Sequence, residues 1–164
     1  DRAESKFILS SGHAGLALYV VLEKYYELDA EEIFNHHGVH PDRCKDCHID
    51  CSSGSLGQGL PIALGMALAD RTKDVYCLIS DGECAEGSVH EALRIKGEYQ
   101  VDNLKVYINF NGWGAYRRVW FKELPMDTII KYTTFEDFPF LKGQDAHYRI
   151  MDENDYKLAM EILK

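Results

Sequence analysis

The sequence predicts an α/β domain of the doubly wound kind, a mainly parallel sheet with helices on both faces. Three observations carry that reading. Two short apolar runs, Val75 to Ile79 and Leu104 to Phe110, each stop abruptly at a polar turn, Ser80-Asp81-Gly82 and Asn111-Gly112. Between them, Glu83 to Gln100 places Ala85, Val89, Ala92, Leu93, Ile95 and Lys96 at mixed i, i+3 and i+4 spacings, the apolar stripe of a crossover helix. Strand, helix and strand in that order form a βαβ unit, whose strands are parallel neighbours. Third, 164 residues make one domain, large enough to bury a core.

The other elements follow in chain order. Phe7 to Leu9 reads as a short strand running into Ser10-Ser11-Gly12-His13, where a serine can cap the first turn of a helix. That helix reaches about Tyr26, with Leu16, Val20, Leu22 and Tyr26 expected on its buried face. His13 stands in its first turn, beside unpaired amides and the positive dipole end, a place suited to an anion. Read alone, such a histidine is more often a surface or cap residue. Ala30 to Asn35 predicts a short helix. Gly54-Ser55-Leu56-Gly57-Gln58-Gly59-Leu60 opens another, continued through Ala63, Gly65, Met66, Ala67 and Ala69, a small-residue face for close packing. Near the end, Phe138 to Leu141 reads as a strand. Asp152 to Lys164 reads as a closing amphipathic helix, with Asp152 as its N-cap. Tyr116, Trp120 and Phe121 are expected in core or interface packing.

His36 to Cys51 is polar and irregular. It holds Cys44, Cys47, His48 and Cys51, preceded by His36, His37 and His40. Cys44-x2-Cys47-His48 matches a c-type haem attachment pattern, which needs an exported protein. Cys44 and Cys47 with His48 and Cys51 nearby could also hold zinc, since thiolate and imidazole suit a tetrahedral site. A variable loop with free thiols is the third reading, and the one preferred.

Composition removes several function classes. Lys+Arg 18 against Asp+Glu 27 leaves a net charge of −9, which argues against a nucleic-acid partner. No apolar run approaches the roughly 20 residues that span a bilayer. Five cysteines without a secretory signal favour reduced thiols in the cytoplasm. The chain opens on Asp1 rather than Met, so an upstream piece is expected.

The chemistry concentrates where the two apolar runs stop. Parallel strands bring Asp81 and Asn111 out at one carboxyl edge, where open α/β sheets place ligands. One anionic and one neutral oxygen donor beside tight glycine turns suit a hard divalent cation bound to phosphates.

These residues resemble the thiamine-diphosphate motif of transketolases. The resemblance rests on Asp81-Gly82 and Asn111 with Glu86-Gly87 and His90-Glu91 between, on FILSSGHAGLALY, and on GSLGQGL. It covers Lys6 to Tyr116 closely and the last third loosely. It implies the thiamine-diphosphate-binding fold, with thiamine diphosphate and Mg²⁺ (or Ca²⁺ or Mn²⁺) as cofactors. Asp81, Asn111 and the Trp113 carbonyl would hold the metal, and His13 would touch the diphosphate. Gly54 and Leu56 would face the aminopyrimidine, while Gly82 turns beside the metal ligand. His40, in His40-Pro41-Asp42 where the family has His-Pro-Glu, would contact the donor sugar. Glu86, placed with His40 among the catalytic candidates, and Glu91 would lie at the subunit contact linking two cofactor sites. The implied activity is transfer of a two-carbon ketol unit between sugars or sugar phosphates. A second, pyrimidine-binding chain would be required in a homo- or hetero-oligomer. Three alternatives stand: another thiamine enzyme (a deoxyxylulose-phosphate synthase or a 2-oxoacid dehydrogenase subunit), a non-catalytic scaffold or regulatory subunit of the same fold, and a zinc- or haem-binding module built on the cysteine loop. Two departures stand out: Ser80 where the family has glycine, expected to strain a left-handed turn, and Phe110 where it has an acid or amide.

Overall fold

The computed structural model describes residues 5–114, 117–119, 128–133, 138–141 and 149–163. Four strands form one sheet in the order β1-β2-β3-β4, all parallel: β1 Lys6–Leu9, β2 Val75–Ser80, β3 Leu104–Phe110 and β4 Thr128–Tyr132. The β2–β3 pairing sets Val75 against Leu104 and Ser80 against Asn109. Both strands therefore stop at the same edge, as the βαβ pattern requires. The doubly wound α/β class holds.

Alternation along the strands explains the core. Val75, Cys77 and Ile79 on β2 and Leu104, Val106 and Ile108 on β3 share one buried face. Two helices, α3 (Gly59–Ala69) and α4 (Gly87–Glu98), supply Leu60, Ala63, Leu64 and Ala67, and Val89, Ala92 and Leu93, to the same cluster. Of the predicted stripe, Val89, Ala92, Leu93 and Lys96 are buried and Ile95 partly so, whereas Ala85 is exposed in the 3-10 turn Gly82–Ala85 that precedes the helix. On α3 the buried row is Leu60, Ala63, Leu64 and Ala67, at i, i+3, i+4 and i+7, whereas Gly65 and Ala69 are exposed. Burial pushes the Cys84 thiol up to about 12 and raises Cys77 further, so both are inert core residues.

The opposite face is less covered. Phe7, Tyr76, Leu78, Tyr107 and Ile129 stay partly exposed there. Helix α1 (Gly15–Tyr26) flanks its Phe7 end across a cavity of about 470 Å³. With α2 (Ala30–His37), α1 builds a second small core of Tyr19, Leu22, Ala30, Ile33 and Ile49.

Three expectations need correction. On α1 only Leu22 of the four predicted core residues is buried; Leu16, Val20 and Tyr26 are exposed, and Tyr19 takes the inner position. The expected serine cap is absent. Ser11 makes no capping bond, and Ser10 Oγ turns inward, donating to Glu83 and accepting from the Gly59 amide at the start of α3. Phe138 to Leu141 contains a single 3-10 turn, Pro139–Leu141, because proline withholds a ladder donor. The strand beside β3 is instead Thr128–Tyr132, which the sequence reading missed. Asp152 does cap α5 (Glu153–Ile162), in a capping box with Asp155. Tyr116, Trp120 and Phe121 lie outside the described residues. Among the described residues, no helix is long and apolar enough to cross a membrane.

Candidate functional site

The carboxyl edge of β2 and β3 is tied together by one side chain. Asp81, 1% exposed, accepts from the Gly82 amide through Oδ1 at 2.9 Å. Its Oδ2 accepts from the amides of Asn111 and Gly112 at 3.0 and 2.6 Å. The turn after β3 needs glycine at 112, whose φ of 79° is left-handed. Asn111 Oδ1 then accepts from the Trp113 amide at 2.8 Å, and Arg118 stacks over the Trp113 ring at 4.8 Å.

Burial raises the Asp81 carboxyl above its ordinary range, while the Gly112, Asn111 and Gly82 amides pull it back down. No lysine or arginine among the described residues neutralises it. A buried carboxylate without a cationic side chain, beside the turn that carries the Asn111 amide oxygen, is a donor set for a hard cation. The residues present therefore fit a magnesium-class ion.

A second buried carboxylate, missed by the sequence reading, lies two residues on. Glu83 is fully buried. Its Oε1 accepts from Ser10 Oγ at 2.5 Å and the Gly57 amide at 3.0 Å. Its Oε2 accepts from the Ser80 amide at 2.8 Å and Ser80 Oγ at 3.3 Å. Ser10 Oγ in turn accepts from the Gly59 amide at 3.1 Å. One acid thus joins the ends of β1 and β2 to the glycine-rich loop before α3. The available signal was an acid directly after Asp81-Gly82, in a stretch otherwise read only as helix.

The remaining candidates gather around that loop. Gly12 packs so closely on Ser53 and Gly54 that a Cβ there would sit 2.6 Å from the Gly54 nitrogen. Gly54 lies under the His40 ring, with 3.2 Å between a built Cβ and His40 Cγ. His13 stands exposed in the 3-10 turn Gly12–Ala14, immediately after Gly12. The structure therefore brings the His13 turn, His40 and Gly54 together, and brings Gly82 and Asn111 onto Asp81. Leu56 is 38% exposed on the loop between these groups. Glu86 packs on Gly57 at the start of α4, and Glu91 follows on the same helix; both are exposed. No bond among the described residues draws Glu86 or Glu91 to Asp81.

Neither departure produces strain. Ser80 ends β2 and is not left-handed; its hydroxyl serves Glu83. Phe110 packs edge-on against Tyr132 of β4 at 5.3 Å.

The predicted zinc set needs correction. His48 stacks on Tyr26 at 3.9 Å, and Cys51 is buried, donating to the Ser52 carbonyl. Cys44 and Cys47 converge on His37 instead.

A parallel sheet whose strand ends, glycine loop and buried acids share one edge has the layout of a cofactor-binding α/β domain. Residues 2–116 match the family model described as "Transketolase, thiamine diphosphate binding domain", and the chain belongs to that family. Transketolase of Pongo abelii is 39% identical over 119 residues, covering 66% of this chain and 19% of that protein. Transketolase-like protein 2 of Homo sapiens is 36% identical over the same shares. A protein named ferredoxin fas2, of Rhodococcoides fascians, is 37% identical over 123 residues, 68% of this chain and 40% of that one. The solved transketolase from Leishmania mexicana superposes with a TM-score of 0.57 at 24% identity, over 68% of this chain and 20% of that chain. The chain thus spans about a fifth of the transketolases it matches.

Proposed function

We propose that this chain is the diphosphate- and Mg²⁺-binding part of a transketolase-type enzyme, which transfers a two-carbon ketol unit between sugars. Its site is completed by a pyrimidine-binding partner. The observation that carries the reading is Asp81: a buried carboxylate, held only by backbone amides, at the edge where two parallel strands end.

Asp81, Asn111 and the Trp113 carbonyl would hold the cation that receives the diphosphate oxygens. His13, beside the amides of the first turn after β1, would bind the diphosphate itself. The backbone at Gly54 and Leu56 would face the aminopyrimidine. His40, over Gly54, would hold hydroxyls of the donor sugar and orient them. Thiamine diphosphate, when bound, supplies the thiazolium carbon on which the ketol unit is carried.

The need for a partner follows from enclosure. Small-molecule sites bury most of their ligand, and this edge offers one wall. Exposed Glu86 and Glu91 suit a subunit contact, and the half-covered sheet face leaves further surface for one. The test is complementation. The purified chain alone should show no ketol transfer between pentose and hexose phosphates. Mixed with the pyrimidine-binding chain, thiamine diphosphate and Mg²⁺, it should become active, and EDTA should remove the activity. Robust transfer by the isolated chain refutes the partner requirement. Activity indifferent to EDTA and to added Mg²⁺ refutes the cation assignment.

A further inference from the structure

The loop between α2 and the glycine-rich segment carries a second cluster, well apart in the sequence from Asp81 and Asn111. Its geometry starts with a tight hairpin. Cys44 and Ile49 exchange both backbone hydrogen bonds, Cys44 N–H to the Ile49 carbonyl at 3.0 Å and the reverse at 2.8 Å. The turn closes through His48, whose φ of 56° is left-handed and whose amide donates to the Lys45 carbonyl at 3.2 Å. Inside this turn the Cys47 amide donates to Cys44 Sγ at 3.2 Å.

The third group arrives from elsewhere in the fold. His37 is the last residue of α2, and the helix is stopped there by Gly38, whose amide returns to the Phe34 carbonyl at 2.7 Å. Tyr19 Oη donates to the Gly38 carbonyl at 3.1 Å, fixing the helix end against α1. Ile49, buried with Tyr19, Leu22 and Ile33, anchors the hairpin to the same small core. His37 Nε2 consequently lies 3.4 Å from Cys47 Sγ, and the three ligand atoms all lie within 4.8 Å of one another.

From this we infer that His37, Cys44 and Cys47 form a metal site for zinc or a similar borderline-soft divalent cation. Zinc takes sulfur at about 2.3 Å and imidazole nitrogen at about 2.0 Å, which in a tetrahedron sets ligand atoms roughly 3.5 Å apart. The His37–Cys47 separation already meets that spacing. Two thiolates and an imidazole exclude magnesium and calcium, which take oxygen. All three residues are partly buried, and a water would fill the fourth position. The ion would close the segment 38–43 into a fixed loop. That segment carries His40 and Pro41, and the Pro41 carbonyl accepts from the Ser53 amide at 3.0 Å. The site is therefore a staple that sets the loop bearing His40, and it stands independently of the proposed ketol transfer.

The experiment uses the untagged 164-residue chain, reduced, with Zn²⁺ and Co²⁺ salts as probes. Elemental analysis after desalting should find about one zinc per chain. Cobalt should give a thiolate-to-metal band in the near ultraviolet and the visible bands of a tetrahedral ion, both erased by added zinc. His37→Ala, Cys44→Ser and Cys47→Ser should each weaken zinc at least about a hundredfold. His48→Ala and Cys51→Ser should leave stoichiometry and spectrum unchanged. Far-ultraviolet circular dichroism checks that each variant is folded. Wild-type chain that retains no zinc and shows no cobalt–thiolate band overturns the site, whatever the variants do. So does loss of binding in His48→Ala with retention in His37→Ala.

Discussion

The edge of β2 and β3 and the loop between α2 and α3 both gather chemical groups, but they hold them in opposite ways. At the edge, Asp81 and Glu83 accept from amides and hydroxyls of Ser10, Gly57, Ser80, Gly82, Asn111 and Gly112. Every carboxylate oxygen has a partner before any ligand arrives. In the loop, His37, Cys44 and Cys47 are half-exposed and joined by few bonds. A buried polar group left unpaired costs about 1–3 kcal/mol, so the edge is preorganised by the chain's own amides. The loop gains a comparable constraint only from an ion. Preorganisation by backbone suits a site that must accept and release a ligand; closure by metal suits a support.

The sharpest test of that contrast is at Asp81. Asp81→Ala should lower thiamine diphosphate affinity at saturating Mg²⁺ by at least about a hundredfold, since the single anionic donor is lost. Isothermal titration in the assembled enzyme measures it. Unchanged affinity would place the cation elsewhere.

Glu83 is next, and its effect should fall on stability. Glu83→Ala leaves the Ser10 hydroxyl proton and the amides of Gly57 and Ser80 without their acceptor. The expected loss is about 3 kcal/mol, a Tm lowered by roughly 8 °C. A shift of less than about 1 °C would show that water replaces the carboxylate at no cost, and the edge would not be preorganised as described.

The same contrast explains what the sequence disclosed. Asp81 and Asn111 were legible because strand ends and turn chemistry are local, and a parallel crossover must bring them to one edge. Glu83 was not, since its partners come from three segments and nothing local distinguishes it from a helix-surface acid. The metal cluster shows this too. Cys44 and Cys47 belong to one short turn, but choosing His37 over His48 depends on where α2 ends and on Tyr26 taking the His48 ring. On α1, apolar residues surround the helix, so periodicity could not select Tyr19 over Leu16 or Val20. The fourth strand was missed because Thr128–Tyr132 is short and only partly buried.

A smaller effect separates the two histidines near Gly54. His13→Ala should weaken cofactor binding about tenfold with little change in kcat at saturating cofactor. His40→Ala should raise KM for the donor sugar or lower kcat about tenfold and leave cofactor affinity alone. Steady-state kinetics with and without excess thiamine diphosphate separates the outcomes. Equal effects of both variants on cofactor affinity would mean that His40 serves the cofactor rather than the sugar.

The smallest effect decides a sign. If Ser80 strained a left-handed turn, Ser80→Gly would relieve it and raise stability. The structure predicts the reverse. Ser80 is the last residue of β2, paired with Asn109 across the sheet, and its φ is not positive. Its hydroxyl lies 3.3 Å from both Glu83 Oε2 and the Glu83 amide, donating to the first and accepting from the second. Glycine would remove both of these long bonds while keeping the 2.8 Å bond from the Ser80 amide. It would also loosen the unfolded chain, a backbone cost of about 0.5–1 kcal/mol. Both contributions have the same sign, so Ser80→Gly should destabilise by about 1 kcal/mol and lower Tm by roughly 3 °C. Urea unfolding of the wild type and the variant, run side by side, resolves a difference of that size. A rise in the midpoint would mean that the turn into Asp81 is strained and that its geometry is imposed rather than preferred.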